Sequence, residues 1–234
     1  MGFIDDIKVD QELQVKALCV AFFLVIFPLY FFSVAAGTDS PTGMGGVGKY
    51  SVSGDITYID FESGEEDIAD GTPFVIDLNT DALDDIADKN IVGVLVSMSY
   101  QEDETEEETV PLVPCVTGGL SADTITGTAS HLNFSNSADG QNDGGNGAHD
   151  VTTEWYNSSM IGQDVEGLSE SEIAEQLDSN GAGLGDYTVE ISVTANSQNS
   201  PGCTRSDTGE TVSYTIQLIV LDYSIIPFVE IENI

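Results

Sequence analysis

The stretch Thr211–Leu221, "TVSYTIQLIVL", constrains the fold more than any other part of the chain. Val212, Tyr214, Ile216, Leu218 and Val220 alternate with Ser213, Thr215 and Gln217. A side-chain period of two suits a pleated strand with one buried face, and a helix period of 3.6 would scatter these residues around its circumference. The same alternation recurs in Tyr187–Thr194, where Tyr187, Val189, Ile191 and Val193 alternate with Thr188, Glu190, Ser192 and Thr194. In Ile91–Tyr100, Val92, Val94, Val96, Met98 and Tyr100 fall on one face, with Gly93, Leu95, Ser97 and Ser99 on the other. Such half-buried runs belong to antiparallel sheets.

Further strand runs are Ser51–Phe61 and Pro73–Leu78, with weaker ones at Thr124–Phe134 and Val151–Tyr156 and an edge-strand candidate in the tail "FVEIENI". One helix signal stands among them. Ser169 and Glu172 have the spacing of a capping box, Leu168 and Ile173 that of its hydrophobic staple, and Ile173 and Leu177 share a face. Gly181 is placed to end that helix. Many strands with few short helices predict a mainly β fold, an antiparallel β-sandwich of jelly-roll or immunoglobulin-like kind.

Ahead of this, Ala17–Ala36 ("ALCVAFFLVIFPLYFFSVAA") carries no charge. As a helix it spans about 30 Å, the hydrocarbon thickness of a bilayer. The expected organisation is a cytoplasmic segment 1–16, an N-terminal transmembrane helix 17–36, a Gly-rich linker 37–49 and an extracytoplasmic β-sandwich 50–234. Lys8 and Lys16 precede the run, which places the N-terminus in the cytoplasm and the C-terminal domain outside. A cleaved signal peptide ending near Val34-Ala35-Ala36 is the competing reading, against which the length of the apolar run weighs.

The charge excludes some partners. Forty-one Asp and Glu against five Lys and Arg give −36. Nucleic acid and nucleotides are therefore not expected to bind, because phosphate recognition needs cations. The acidity suits the hydrated surface of a halophile or marine microbe. Gly43–Tyr50, "GMGGVGKY", imitates a phosphate loop, but Tyr50 replaces the Ser or Thr and a strand pattern follows where a helix is needed.

Candidate sites are few. Asp139–Asp150, "DGQNDGGNGAHD", has the length of an EF-hand loop, with Asp139, Asp143 and Asp150 as possible ligands for Ca2+. Against that, Gln141 and Asp150 depart from the pattern and no flanking helices are evident, so an unstructured acidic loop is the alternative. "QEDETEEET" (Gln101–Thr109) reads as a solvated loop. Trp155-Tyr156 suits either a recognition patch or aromatic packing. Cys115 and Cys203 lie outside the membrane, where a disulfide between them would contribute about 4–5 kcal/mol in the chain-entropy account; two free thiols are the alternative. Asn133 and Asn157 head glycosylation sequons. No hydrolase signature occurs, and His131 and His149 are the only histidines, so no enzyme activity is expected.

The run from Gly185 to Tyr223 resembles the closing hairpin of extracellular β-sandwich modules of marine and halophilic archaea, of P-domain or jelly-roll type. Gly185, Tyr187, Val189 and Ile191 match a "G-x-Y-x-V-x-V" strand, with Ile191 for its second Val, and Asp207 and Gly209 match its "D-x-G" loop. The resemblance covers roughly Ile91–Tyr223. One N-terminal helix ahead of a β-sandwich is also similar to the accessory anchoring subunits of archaeal surface filaments. Both resemblances imply a structural or interaction role, with membrane lipid and other membrane or cell-surface subunits as partners and no catalytic residues. The alternative role is a calcium- or ligand-binding surface module using residues 139–150.

Overall fold

The structure is a computed structural model that describes residues 20, 22, 23, 27, 48–101, 104–108, 121–142, 145–197 and 203–228. The chain divides into two compact units, Met1–Gly46 and Val47–Ile234. In the first, Val20, Phe22, Phe23 and Phe27 are helical, and the Phe23 ring lies 5.4 Å edge-on from Phe22 and 6.0 Å from Phe27. The remainder of the expected span 17–36 lies outside the described residues. Among the described residues no helix is long and apolar enough to cross a membrane.

Among its described residues the second unit has eleven strands and one α-helix. In chain order these are β1 (Gly48–Ala69), β2 (Phe74–Asn79), β3 (Ile91–Gln101), β4 (Thr105–Glu108), β5 (Thr124–His131), β6 (Phe134–Gln141), β7 (Asn146–Glu154), β8 (Asp164–Leu168), α1 (Glu170–Leu177), β9 (Asp186–Thr194), β10 (Cys203–Ser206) and β11 (Gly209–Pro227). One sheet has the order β7-β3-β11-β1-β8 and a second the order β2-β9-β5-β6; β4 and β10 form a two-stranded ribbon. Every pairing is antiparallel. The two larger sheets pack face to face as a β-sandwich.

The core is the inward half of each alternating run. Val94, Val96, Met98 and Tyr100 of β3 and Val212, Ile216, Leu218 and Val220 of β11 meet Tyr187, Val189, Ile191 and Val193 of β9. Val92 departs from its expected face. The pairing of β3 with β11 slips between Ile219 and Val220, opposite Gly93 and Ile91, so Ile91 joins the sandwich core and Val92 turns to the outer side. There a second core forms, in which Ile173 and Leu177 of α1 cover Tyr50, Val52, Val92, Ile219 and Leu221. This explains the unbroken "LIVL" of β11: Leu218–Leu221 is apolar throughout because both faces are covered there.

The capping box forms as spaced. Glu172 N donates to Ser169 Oγ at 3.3 Å, and Ser169 N donates to the Glu172 carboxylate at 2.8 Å. The bond from Ser169 N, with a second from Ser169 Oγ at 2.8 Å, holds the Glu172 carboxyl below its usual range. The helix stops at Leu177, before Asn180 and Gly181, which both have positive φ.

β1 is far longer than the expected Ser51–Phe61. It runs beside β11 from Tyr50 opposite Pro227 to Ala69 opposite Gly209, with a bulge between Asp60 and Glu62. The bulge reverses the facing of the strand, and the Phe61 ring beside it meets Tyr187 edge-on at 5.5 Å. Lys49 of "GMGGVGKY" lies within this strand. Its Nζ sits 3.1 Å from Glu166 and 3.4 Å from Asp164 on β8, and 4.8 Å over the Phe228 ring. Hydrogen bonds to Glu166 and then Asp164 raise its pKa.

Candidate functional site

The acidic segment 139–150 is not an EF-hand loop. Asp139 lies on β6 and Asp150 on β7, and these strands close different sheets. Ala138 and Val151 point into the core, so their neighbours Asp139 and Asp150 project from opposite outer faces of the sandwich. Asp139 accepts instead from Thr126 Oγ1 at 2.7 Å. The pair therefore does not converge on one ion. Asp143, the third expected ligand, lies outside the described residues.

Gly140 and Gly147 of this segment answer to packing. A Cβ at Gly147 would collide with the Tyr100 ring, and one at Gly140 with both Tyr100 Oη and His149 Nδ1. His149 itself is held between Tyr100 Oη and the Ala138 carbonyl, each at 3.2 Å. His131 is buried, with Nδ1 2.8 Å from the Asp186 carbonyl and Nε2 2.5 Å from that of Ala182. Its ring stacks on Tyr187 at 4.0 Å, beside Trp155. Trp155 is thus part of an aromatic cluster with Phe134, and its Nε1 donates to the Ile91 carbonyl at 3.0 Å. Both histidines have their ring nitrogens engaged within the fold.

Three carboxylates that the sequence did not mark as ligands do come together. Asp123 precedes β5, Asp207 sits in the turn between β10 and β11, and Glu210 is the second residue of β11; each offers an oxygen within 4.8 Å of the others. Asp123 and Glu210 are 0% and 2% exposed. Asn142, 1% exposed, organises them: its Nδ2 donates to Asp123 Oδ2 at 3.2 Å and to Glu210 Oε1 at 3.1 Å, and its Oδ1 accepts from Asp123 N at 2.9 Å. Asp123 Oδ1 also accepts from Asn196 N, and Asp207 Oδ1 from Gly209 N at 3.1 Å. Hard carboxylate oxygens in this density suit Ca2+ or Mg2+, with further oxygens needed to reach six or more for calcium. A shallow depression of ≈ 430 Å³ lined by Asp67, Thr208 and Glu210 lies alongside.

No family model and no curated protein matches the chain. Among solved structures, one of Desmodium yellow mottle tymovirus overlaps 83% of this chain and 97% of its own. The identity is 8% and the TM-score 0.24. An overlap this slight carries no argument about fold or function.

A signal for the cluster does exist in the sequence. Glu210 continues the inward series of Val212 and Ile216, and an acid at an inward register needs a partner. The other expected sites are placed as follows. Cys203 is buried and disulfide-bonded, while Cys115 lies outside the described residues. Asn133 is exposed in the β5–β6 turn. Asn157 is half-buried, with its Nδ2 donating to Gln176 Oε1 at 2.9 Å, so a glycan there would displace that bond. The expected solvated run Gln101–Thr109 contains β4, which pairs Thr105–Glu108 with Ser206–Cys203.

Proposed function

We propose that the chain is a single-pass membrane protein whose acidic extracytoplasmic β-sandwich, of jelly-roll or immunoglobulin-like kind, serves as a structural accessory subunit of a membrane or cell-surface complex in a marine or halophilic archaeon. The observation that carries this reading is the charge-free run Ala17–Ala36 directly ahead of the β-sandwich unit. The described depressions are shallow and lined largely by Ser, Thr and acidic residues, which favours contact through faces and edges over turnover in a cleft. Alkaline carbonate washing of native membranes is expected to leave the protein in the pellet, and purification in mild detergent to bring partner chains with it. Release into the wash would remove the anchor from this reading, and a protein that runs alone would remove the subunit role.

A second reading, divalent-cation binding, is favoured by the Asp123, Asp207 and Glu210 cluster rather than by residues 139–150. Calcium added to chelator-treated protein is then expected to raise Tm, since a ligand at a hundred times its Kd adds about 2.7 kcal/mol. Asp207→Asn should abolish the rise, and a double Asp139→Asn, Asp150→Asn variant should keep it. An unchanged Tm in the parent protein rules the reading out.

A further inference from the structure

The long strand β1 has two edges, and most of one of them is open among the described residues. β11 covers the first edge from Tyr50 to Ala69. On the other, β8 pairs only with Gly48–Ser51. The last bonds on that side belong to Val52, which donates to the Gln163 carbonyl at 3.0 Å and accepts from Gly162 N at 2.9 Å. Backbone direction alternates along a strand. The N–H and C=O groups of Gly54, Ile56, Tyr58 and Asp60 therefore point to the same side as those of Val52, where no strand pairs with them among the described residues.

Two large side chains stand at this edge. Ile56 and Tyr58 are 41% and 53% exposed and two residues apart, so they share a face. Their β11 partners, Leu221 and Ile219, are buried on that face, so the pair extends the second core outward to solvent. Beside them β1 carries Asp55 and Asp60, and farther along Glu62, Glu65, Glu66 and Asp67, with no Lys or Arg after Lys49.

We propose that the Gly54–Asp60 edge of β1 accepts a strand from a partner protein, and that this strand is basic, with Lys or Arg alternating with apolar residues. Strand addition supplies the missing ladder bonds, and Ile56 and Tyr58 give the incoming apolar side chains a surface. The acids select the charge of the occupant. A second copy of this chain, at −36 and with the same acidic strand, is repelled rather than attracted. The inference rests on the accessory-subunit reading for the existence of a partner, and on the backbone of β1 for the surface.

The test uses the full chain in detergent and a synthetic nine-residue peptide alternating Lys with Val. Hydrogen exchange at Gly54, Ile56, Tyr58 and Asp60 is expected to slow at least ~10-fold when the peptide is present at about 1 mM, the weak end of the affinity scale. A peptide N-methylated on alternate residues keeps its charge and loses donors, and is expected to bind at least ~10-fold more weakly. Tyr58→Pro removes an edge-facing N–H without touching the β1–β11 ladder, and should weaken the parent peptide comparably with little change in Tm. Equal binding of both peptides would mean charge attraction alone and overturn the proposal. So would unchanged exchange at these amides, or amides already protected in the free protein by the chain's own remaining residues. None of these results bears on carbonate extraction or copurification, so the two readings fail separately.

Discussion

Asn142→Leu is expected to lower the unfolding free energy by about 3–5 kcal/mol, because it removes two hydrogen bonds to charged groups at about 1.5–3 kcal/mol each. The reason is specific to this end of the sandwich. A single amide donates to two buried carboxylates, Asp123 and Glu210, and accepts from the Asp123 backbone N–H. Leucine has the same branched skeleton as Asn but takes that donor away from both carboxylates, and a buried charged acceptor that loses one of its donors is destabilised. For a unit the size of Val47–Ile234, such a loss moves Tm down on the order of 10 °C. Chemical denaturation with matched m-values measures it. A loss below about 1 kcal/mol would mean that water replaces the amide, and that the cluster does not depend on Asn142.

Tyr187 carries the second large expectation. It is 1% exposed, stacked on His131, edge-on to Phe61, and donates its hydroxyl to the Gly183 carbonyl at 2.6 Å. Tyr187→Ala is expected to cost about 3–5 kcal/mol through the cavity it leaves. Tyr187→Phe, which removes only the hydroxyl, is expected to cost about 1 kcal/mol at neutral pH. Burial pushes the Tyr187 phenol well above its ordinary value. A folded-state pKa above the unfolded one leaves stability intact below the unfolded pKa, near 10, and removes it as pH rises beyond. Tyr156, Tyr214 and Tyr223 are raised as well, each first by burial and then by neighbouring acids or, at Tyr156, also by Tyr58. Denaturation midpoints are therefore expected to hold to about pH 10 and then fall. Tyr187→Phe should make that fall shallower, and an alkaline slope equal to the parent's would show that other groups cause it.

Where a feature depends on a few consecutive residues, it is legible in the chain's own order of side chains. The alternation of Tyr187–Val193 and of Val94–Tyr100 names the inward residues of β9 and β3 correctly because side-chain direction in a strand depends only on parity. The box at Ser169 and Glu172 likewise lies within one turn of backbone. Parity also marks the limit of such reading. A one-residue slip reverses every facing beyond it, and slips opposite Val92 and at Asp60/Glu62 are responses to strands far away in sequence.

The carboxylate site shows the same division from the other side. Asp139 and Asp150 look like partners because they close a twelve-residue stretch with ligand spacing. They part because that stretch crosses from one sheet to the other. Asp123, Asp207 and Glu210 have no spacing in common, yet the pairing of β5 with β9 and of β1 with β11 brings their ends together.

By itself, then, the sequence determined the β class of the Val47–Ile234 unit, the faces of its main strands, its capped helix and a charge that repels phosphate. These follow from dihedral geometry, side-chain period and Coulomb's law, which act locally or in sum. Only the tertiary structure decided that Tyr50 lies opposite Pro227, that α1 covers the outer side of "LIVL", and that β8 pairs with no more than Gly48–Ser51 of β1 among the described residues. Those depend on which distant surfaces bury the most apolar area once the loops between them close.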